Sequence, residues 1–369
     1  MKITKKTGIA LLAWAMAACG SMDNQTQQAT QTPKKDSVTS NAAVAPVFSS
    51  QTVKHDSDDP AIWINPNNPA ESLVLGTDKD EDGALYVFDL QGKIIENKVV
   101  RGLKRPNNVD IEYGLMLNGK PTDIAVVTER ITHKIRVYSL PDMRAVDNGG
   151  LDMFVGEQGA EFRDLMGITL YKRPKDKAIF AIVGRKTGPA DGYLWQYLLQ
   201  DDGKGAVKAT LVRKFGKYSQ KKEIEAIAAD DALGYIYYSD ETFGVRKYYA
   251  DPDKGNQELA VFATSGVKND HEGISIYALN DSTGYILLSD QQANQFHVFP
   301  REGSKTNPHQ HDLLKIVKVS TSESDGSDVC STPLNSVFKH GLFVAMSDNK
   351  TFQFYRWEDI AGKELKAAQ

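Results

Sequence analysis

Leu73-Val74-Leu75-Gly76-Thr77-Asp78-Lys79 is an apolar run that ends in a polar cluster, and the chain repeats this phrase six times. The other copies are Ile124-Ala125-Val126-Val127-Thr128-Glu129-Arg130, Ile179-Phe180-Ala181-Ile182-Val183-Gly184-Arg185-Lys186 and Tyr235-Ile236-Tyr237-Tyr238-Ser239-Asp240-Glu241. Two more follow: Tyr285-Ile286-Leu287-Leu288-Ser289-Asp290-Gln291 and Leu342-Phe343-Val344-Ala345-Met346-Ser347-Asp348. Counted between Lys79, Arg130, Arg185, Asp240, Asp290 and Asp348, the intervals are 51, 55, 55, 50 and 58 residues. Such a period belongs to repeat architectures and is somewhat longer than the ~40–45 residues of a common four-stranded propeller blade.

Each copy has the same neighbours. An aromatic-rich strand follows within a few residues, as in Leu85-Tyr86-Val87-Phe88 or Phe296-His297-Val298-Phe299. Strand, turn and strand at this spacing read as a hairpin. A segment that starts polar and turns apolar precedes each copy. These segments begin at Asp58-Asp59-Pro60, Asn107-Asn108, Asp164, Glu225, Asp270-His271-Glu272 and, less clearly, Asp325-Gly326-Ser327-Asp328. There is room for a fourth strand in segments such as 93–100 or 207–215. The pattern predicts an all-β, six-bladed β-propeller; a seven-bladed ring and a two-sheet sandwich are the competing architectures. Helical periodicity is scarce, with one short helix expected over 357–368.

Antiparallel neighbours run in opposite directions. The start of each first strand and the end of each second strand therefore meet at one sheet edge, and both carry polar clusters. Six such sheets around an axis would gather Asp58, Asp59, Asp164, Glu225, Asp240, Glu241, Asp270, Glu272, Asp290, Glu323, Asp325 and Asp328 on one face. Solvated loop tips are the usual fate of acids between strands, but recurrence at one edge favours a shared site. Carboxylates so crowded need cations to stay ionised. With no cysteine cluster and no paired-histidine spacing, zinc is disfavoured, and all-oxygen ligation points to Ca²⁺. His271 alone says little. Lys79, Arg130, Arg185 and Lys186 occupy the same strand ends. They could simply balance the acids, or they could grip a phosphate.

The chain has 369 residues, 41% hydrophobic and 25% charged, with a formal net charge of −4. Residues 1–18 hold Lys2, Lys5 and Lys6 and no acid, so without them the charge is −7. That argues against a nucleic-acid partner. Lys2, Lys5 and Lys6 precede the short apolar run Ile9–Ala18 and then Cys19, as in an export signal. Residues 1–18 are expected to be a signal peptide and 19–46 a polar flexible linker, with 47–369 the propeller. Small residues before Cys19 resemble a lipobox, which implies a lipid anchor at Cys19 to the bacterial cell envelope, the outer membrane being expected. The working unit is expected to be a monomer. Cys330 is then left without a partner and reads as a small buried residue.

Asp58-Asp59-Pro60-Ala61-Ile62-Trp63, Gly76-Thr77-Asp78-Lys79, Asn107-Asn108-Val109-Asp110-Ile111, Glu225-Ala226-Ile227-Ala228-Ala229-Asp230-Asp231 and Asp270-His271-Glu272-Gly273-Ile274 strongly resemble the β-propeller phytases. The resemblance runs from about Val47 to Ala361. It implies calcium-dependent hydrolysis of phytate, inositol hexakisphosphate, or of its calcium salt, by metal-activated water without an attacking side chain. It also implies calcium ligation by Asp58, Asp59, Glu225, Glu241, Asp270, Glu272 and Gln291, with Glu323 and Asp325 as further candidates. Lys79, Arg130 and Arg185 or Lys186 would hold the scissile phosphate, and Lys79, Arg130, Glu225 and Glu272 would act in catalysis. The chain departs from the family pattern at His55-Asp56-Ser57, at Met166 and at Asp80. The alternatives are a calcium-dependent propeller lactonase or esterase, which would need no cluster of bases, and a non-catalytic calcium-binding propeller.

Overall fold

The computed structural model describes residues 42–369. The signal peptide at 1–18, Cys19 and most of the linker lie outside the described residues. Among the described residues, no helix is long and apolar enough to cross a membrane.

The repeat builds six antiparallel sheets, each a blade, whose first strand is innermost. Blade 1 is Ser57–Trp63, Leu73–Asp78, Gly83–Phe88 and Val100–Leu103. Blade 2 is Pro106–Leu117, Lys120–Glu129, Lys134–Leu140 and the short Leu151–Asp152, with Arg144–Ala145 also paired to its third strand. Blade 3 is Leu165–Lys172, Ile179–Arg185, Asp191–Asp201 and Val207–Lys217. Blade 4 is Ile227–Asp230, Tyr235–Asp240, Gly244–Tyr249 and Ala260–Phe262. Blade 5 is His271–Ala278, Gly284–Asp290, Gln295–Pro300 and Lys315–Lys318. Blade 6 is Ser327–Cys330, Leu342–Ser347 and Thr351–Arg356, and its outer strand is Phe48–Ser49 from the start of the propeller. Phe48 pairs with Phe354 and Ser49 with Gln353, so the chain's two ends are stitched into one sheet and the ring closes.

Three boundaries differ from the sequence expectation. Val44 already bridges Val319, three residues before the expected start at 47. The fourth strand of blade 1 begins at Val100, where 93–100 was expected. The terminal helix covers only Trp357–Ala361; Gly362 follows at φ +59, a conformation that ends a helix and suits glycine.

The apolar alternation of the strands packs neighbouring blades face to face, giving six cores, one at each junction. Val74, Phe88, Val344 and Phe352 join blades 6 and 1, and Leu75, Val87, Val109 and Val127 join blades 1 and 2. Val126, Val137, Ile168 and Trp195 continue between blades 2 and 3. Ile182, Phe215, Ile236 and Tyr248 join blades 3 and 4, Tyr237, Val245, Ile286 and Leu288 blades 4 and 5, and Leu287, Val298, Phe343 and Trp357 blades 5 and 6. Fully burying one such side chain is worth about 1.5–3 kcal/mol, so each junction is a firm wall for the side chains at its rim.

Candidate functional site at one end of the propeller axis

Two local devices aim polar side chains at the axis. The first is a break in pairing where inner strands begin. The register slips between Ser57 and Pro60, Pro106 and Val109, Leu165 and Ile168, and His271 and Ile274. Such bulges turn a side chain out of the pleat, and they contain Asp58, Asn107, Met166 and Glu272. The second is a hydroxyl near the end of the second strand in blades 1, 2, 4 and 5. Thr77 Oγ1 donates to the Asn107 carbonyl at 2.6 Å, Thr128 Oγ1 to Met166 at 3.0 Å, Ser239 Oγ to Glu272 at 2.7 Å and Ser289 Oγ to Ser324 at 2.7 Å. Each bond crosses to the next blade; the first three pin the bulge there, and the fourth holds the loop just before the inner strand of blade 6. Gly184 stands at the corresponding position of blade 3. Glu225 is fixed by close approach: its carbonyl lies against Gly167, where any Cβ would collide with it.

The acids meet in two groups. Asp58, Glu225 and Asp325 each place a carboxylate oxygen within 4.8 Å of the others, and so do Glu225, Glu241 and Glu272. Glu225 is common to both. Asn107 Nδ2 donates to Glu225 Oε1 at 3.2 Å and to Asp58 Oδ2 at 3.3 Å, tying the groups together. Lys79 Nζ is in close contact with Asp58 Oδ1 and lies 3.4 Å from Asp325 Oδ2. Arg130 Nη2 lies 3.5 Å from Glu225 Oε1 and against the Met166 sulfur. Gln291 donates to Asp325 Oδ1. Gln292 donates to Asp270 Oδ2 at 2.7 Å. Lys222 Nζ bridges Glu241 Oε2 at 2.7 Å and Asp270 Oδ2 at 2.8 Å. At the rim, Lys186 Nζ is 3.3 Å from Glu223 Oε2.

The electrostatics are those of an acid-rich buried site. Burial raises the Asp58 carboxyl well above the usual range; Glu225 and Asp325 add to this, while Lys79 opposes it. Burial pushes Glu241 up to about 8 and Asp325 up to about 6, and it raises Glu272 strongly with help from Glu225 and Glu241. Burial disfavours the charged Lys79 ammonium, but Asp58, Glu225 and Asp325 outweigh this and hold it well above its ordinary value. Asn107 Oδ1, Glu241 Oε1 and Glu272 Oε2 are buried without a hydrogen-bond partner in the structure. Unsatisfied oxygens of this kind are costly. An all-oxygen donor set drawn from carboxylates and amides fits a hard cation such as Ca²⁺, which takes about 6–8 oxygens.

Not every expected residue joins the site. Asp240 and Asp290 turn to the opposite side of their strands. Asp240 accepts from Ser219 N, Ser219 Oγ and Arg246 Nε, and Asp290 accepts from Lys268 N and Gln295 Nε2. Side chains alternate along a strand, so of each adjacent pair only Glu241 and Gln291 face the axis. The same alternation separates Arg185 from Lys186. Arg185 is fully buried; its Nη1 lies 2.7 Å from Glu157, its Nε donates to the Tyr193 carbonyl, and Phe154 covers it at 4.6 Å. Its guanidinium is therefore taken up inside blade 3, whereas Lys186 is partly exposed beside Glu223.

Asp59 points along the axis into a cavity it shares with Asp110, Thr169 and Asp328, and its Oδ2 accepts from Val109 N at 3.0 Å. It lies outside both acid groups. Glu323 is exposed at φ +46 and belongs to neither group. Asp164 sits beside His133 at 3.6 Å. Asp80 faces outward in the turn after Lys79, where it accepts from Asp82 N. Cys330 is partly buried, and its thiol is pushed up to about 12 by burial. Asn107, Lys222 and Gln292 belong to the site without having been singled out as site residues in the sequence.

Fold and site together define a class: a six-bladed β-propeller with interleaved acids and bases at one end of its axis. The family model described as Phytase matches residues 4–364, and the chain belongs to that family. It is 31% identical over 341 residues to the 3-phytase of Bacillus subtilis (strain 168), covering 88% of this chain and 84% of that one. Among solved structures it is similar to Kuenenia stuttgartiensis hydrazine synthase, with TM-score 0.47 and 12% identity over 80% of this chain and 82% of that one. It is also similar to the WD40 β-propeller domain of Doa1, with TM-score 0.45 and 12% identity over 80% and 77%. Likeness at that level says nothing of activity.

Proposed function

We propose that this chain is a calcium-dependent phytase that hydrolyses phosphate monoesters of phytate. The observation that carries the reading is the meeting of two acid groups at Glu225 with Lys79 and Arg130 beside them. Calcium bound there would lower the pKa of a water and neutralise phosphoryl oxygens. Asp58, Glu225, Glu241, Asp270, Glu272, Gln291 and Asp325 are the residues placed to hold it.

The chain's own bases do the rest. Lys79 is steered by Asp58 and Asp325 toward the acids, where it meets the charge of a bound phosphate. Arg130, backed by Met166 and Glu225, presents the forked donors suited to two phosphate oxygens. Lys186 stands at the rim, held by Glu223, where a second phosphate of a polyphosphorylated substrate would lie. A lactonase acting on a neutral ester would have no use for these three bases. Phosphate release from phytate, run beside a lactone panel at one calcium concentration, tests the reading: turnover of phytate alone is expected, and turnover of lactones alone would overturn it.

The proposal includes a monomer, anchored through lipidated Cys19 to the cell envelope and to be sought in the outer-membrane fraction. Support comes from Lys2, Lys5, Lys6 and the apolar run ending at Cys19. Cys19→Ala is expected to move the protein from the membrane to the soluble fraction; a wild type that is already soluble and carries no acyl group contradicts the anchor.

A further inference from the structure

Lys222 lies in the irregular segment between the last strand of blade 3 and the first strand of blade 4, outside the six repeats. Its ammonium spans Glu241 and Asp270, which come from blades 4 and 5. Those two side chains are 1% and 12% exposed, whereas Lys222 is 43% exposed, so the cation reaches in from the solvent over buried acids. Glu241 also belongs to the acid group it forms with Glu225 and Glu272. Lys79 differs: its side chain is 13% exposed and is held from within by Asp58.

We propose that Lys222 is a tethered counter-cation which fills the place between Glu241 and Asp270 in the metal-free protein and which calcium must displace. The inference rests on the calcium reading above. The ammonium supplies one charge and leaves Glu241 Oε1 and Glu272 Oε2 without a hydrogen-bond partner. A doubly charged ion with about 6–8 oxygen ligands serves all of these acids better. The Tyr218 hydroxyl donates to the Lys222 carbonyl, which fixes the backbone and leaves the flexible stem free to swing outward. Displacement costs the two ion pairs, so Lys222 weakens calcium binding while it keeps the metal-free acids from repelling one another.

Calcium binding is measured calorimetrically without substrate on the full chain, on Lys222→Met, on Lys222→Arg and on Lys221→Met. Lys221 is a fair comparison, since its ammonium rests at 5.2 Å over the Phe243 ring and pairs with none of the acids. Lys222→Met is expected to bind calcium about tenfold more tightly, and Lys222→Arg to stay near wild type. Lys221→Met should change by about twofold at most, as an exposed charge does. In chelator, Lys222→Met should melt below wild type, and calcium should raise its melting temperature by more than it raises that of wild type. Unchanged or weaker calcium binding by folded Lys222→Met, with wild type binding normally, overturns the counter-cation. A wild type that takes up no calcium overturns the calcium reading and this inference with it.

Discussion

Replacing Glu225 with glutamine tests the geometry at its most connected point. Glu225 is the carboxylate shared by both acid groups, and its Oε1 accepts from Asn107 while facing Arg130 at 3.5 Å. Glu225→Gln keeps the volume and the acceptor for Asn107 but removes the charge. Each acid group then loses one of its three carboxylates, and calcium affinity should fall at least about 10–100-fold, the cost seen even when only a supporting shell is disturbed. Arg130 loses the partner that aims it, so phosphate release from phytate at saturating calcium should fall about 10²–10³-fold, as for removal of one electrostatic contact in other enzymes. Stability should move the other way. Glu225's charge raises the carboxyls of Asp58, Glu272 and Asp325, and this repulsion disappears in the variant. In chelator the variant should therefore melt at or above wild type. The assay is phosphate release across a calcium titration, with a thermal melt in chelator on the same preparations. A folded variant with the wild-type rate and calcium dependence would refute this placement of the site.

Two further substitutions separate neighbouring possibilities. Lys186→Met should raise KM for phytate severalfold with little change in melting temperature, because the residue sits at the rim. Arg185→Met should instead lower the melting temperature by removing a fully buried guanidinium and its charged hydrogen bond to Glu157, a loss of about 1.5–3 kcal/mol softened by Lys214, which stays 3.7 Å from Glu157. The reverse pattern would show that the two have been assigned the wrong way round. Away from the site, Glu112 is raised to about 8, by burial first and then by the charge of Asp231. A carboxyl raised on folding binds more protons in the native state, so its stabilising contribution is complete below the ordinary glutamate pKa and is lost as pH rises toward 8. Glu112→Gln mimics the protonated form, and its melting temperature should fall less than that of wild type between pH 5 and pH 8. Parallel profiles would contradict this.

The blades were legible because each strand is long enough to show its apolar run and each copy ends in the same polar phrase. The ring closure was not: Phe48–Ser49 is a two-residue strand, too short to carry a period. Asp58, Lys79, Arg130, Glu225, Glu241, Asp270, Glu272 and Asp325 were singled out because they sit at repeated strand ends, and Gln291 through the family resemblance. Asp240, Asp290 and Arg185 occupy the same strand ends and face the other way. Strict alternation, counted from the hydroxyls at Thr77, Thr128 and Ser239, separates them and was available in the sequence. The bulges at Asp58, Asn107 and Glu272 are set by pairing across the sheet and leave no local sign. Lys222 belongs to an irregular loop, and only the fold brings it to Glu241 and Asp270.

The most direct test of the central claim is phosphate release from phytate by the purified chain, first with chelator and then with calcium restored stepwise. Acids that converge on a metal beside Lys79 and Arg130 predict no release above background in chelator and full recovery on adding calcium. Undiminished release in chelator would contradict a calcium site among Asp58, Glu225, Glu241, Glu272 and Asp325.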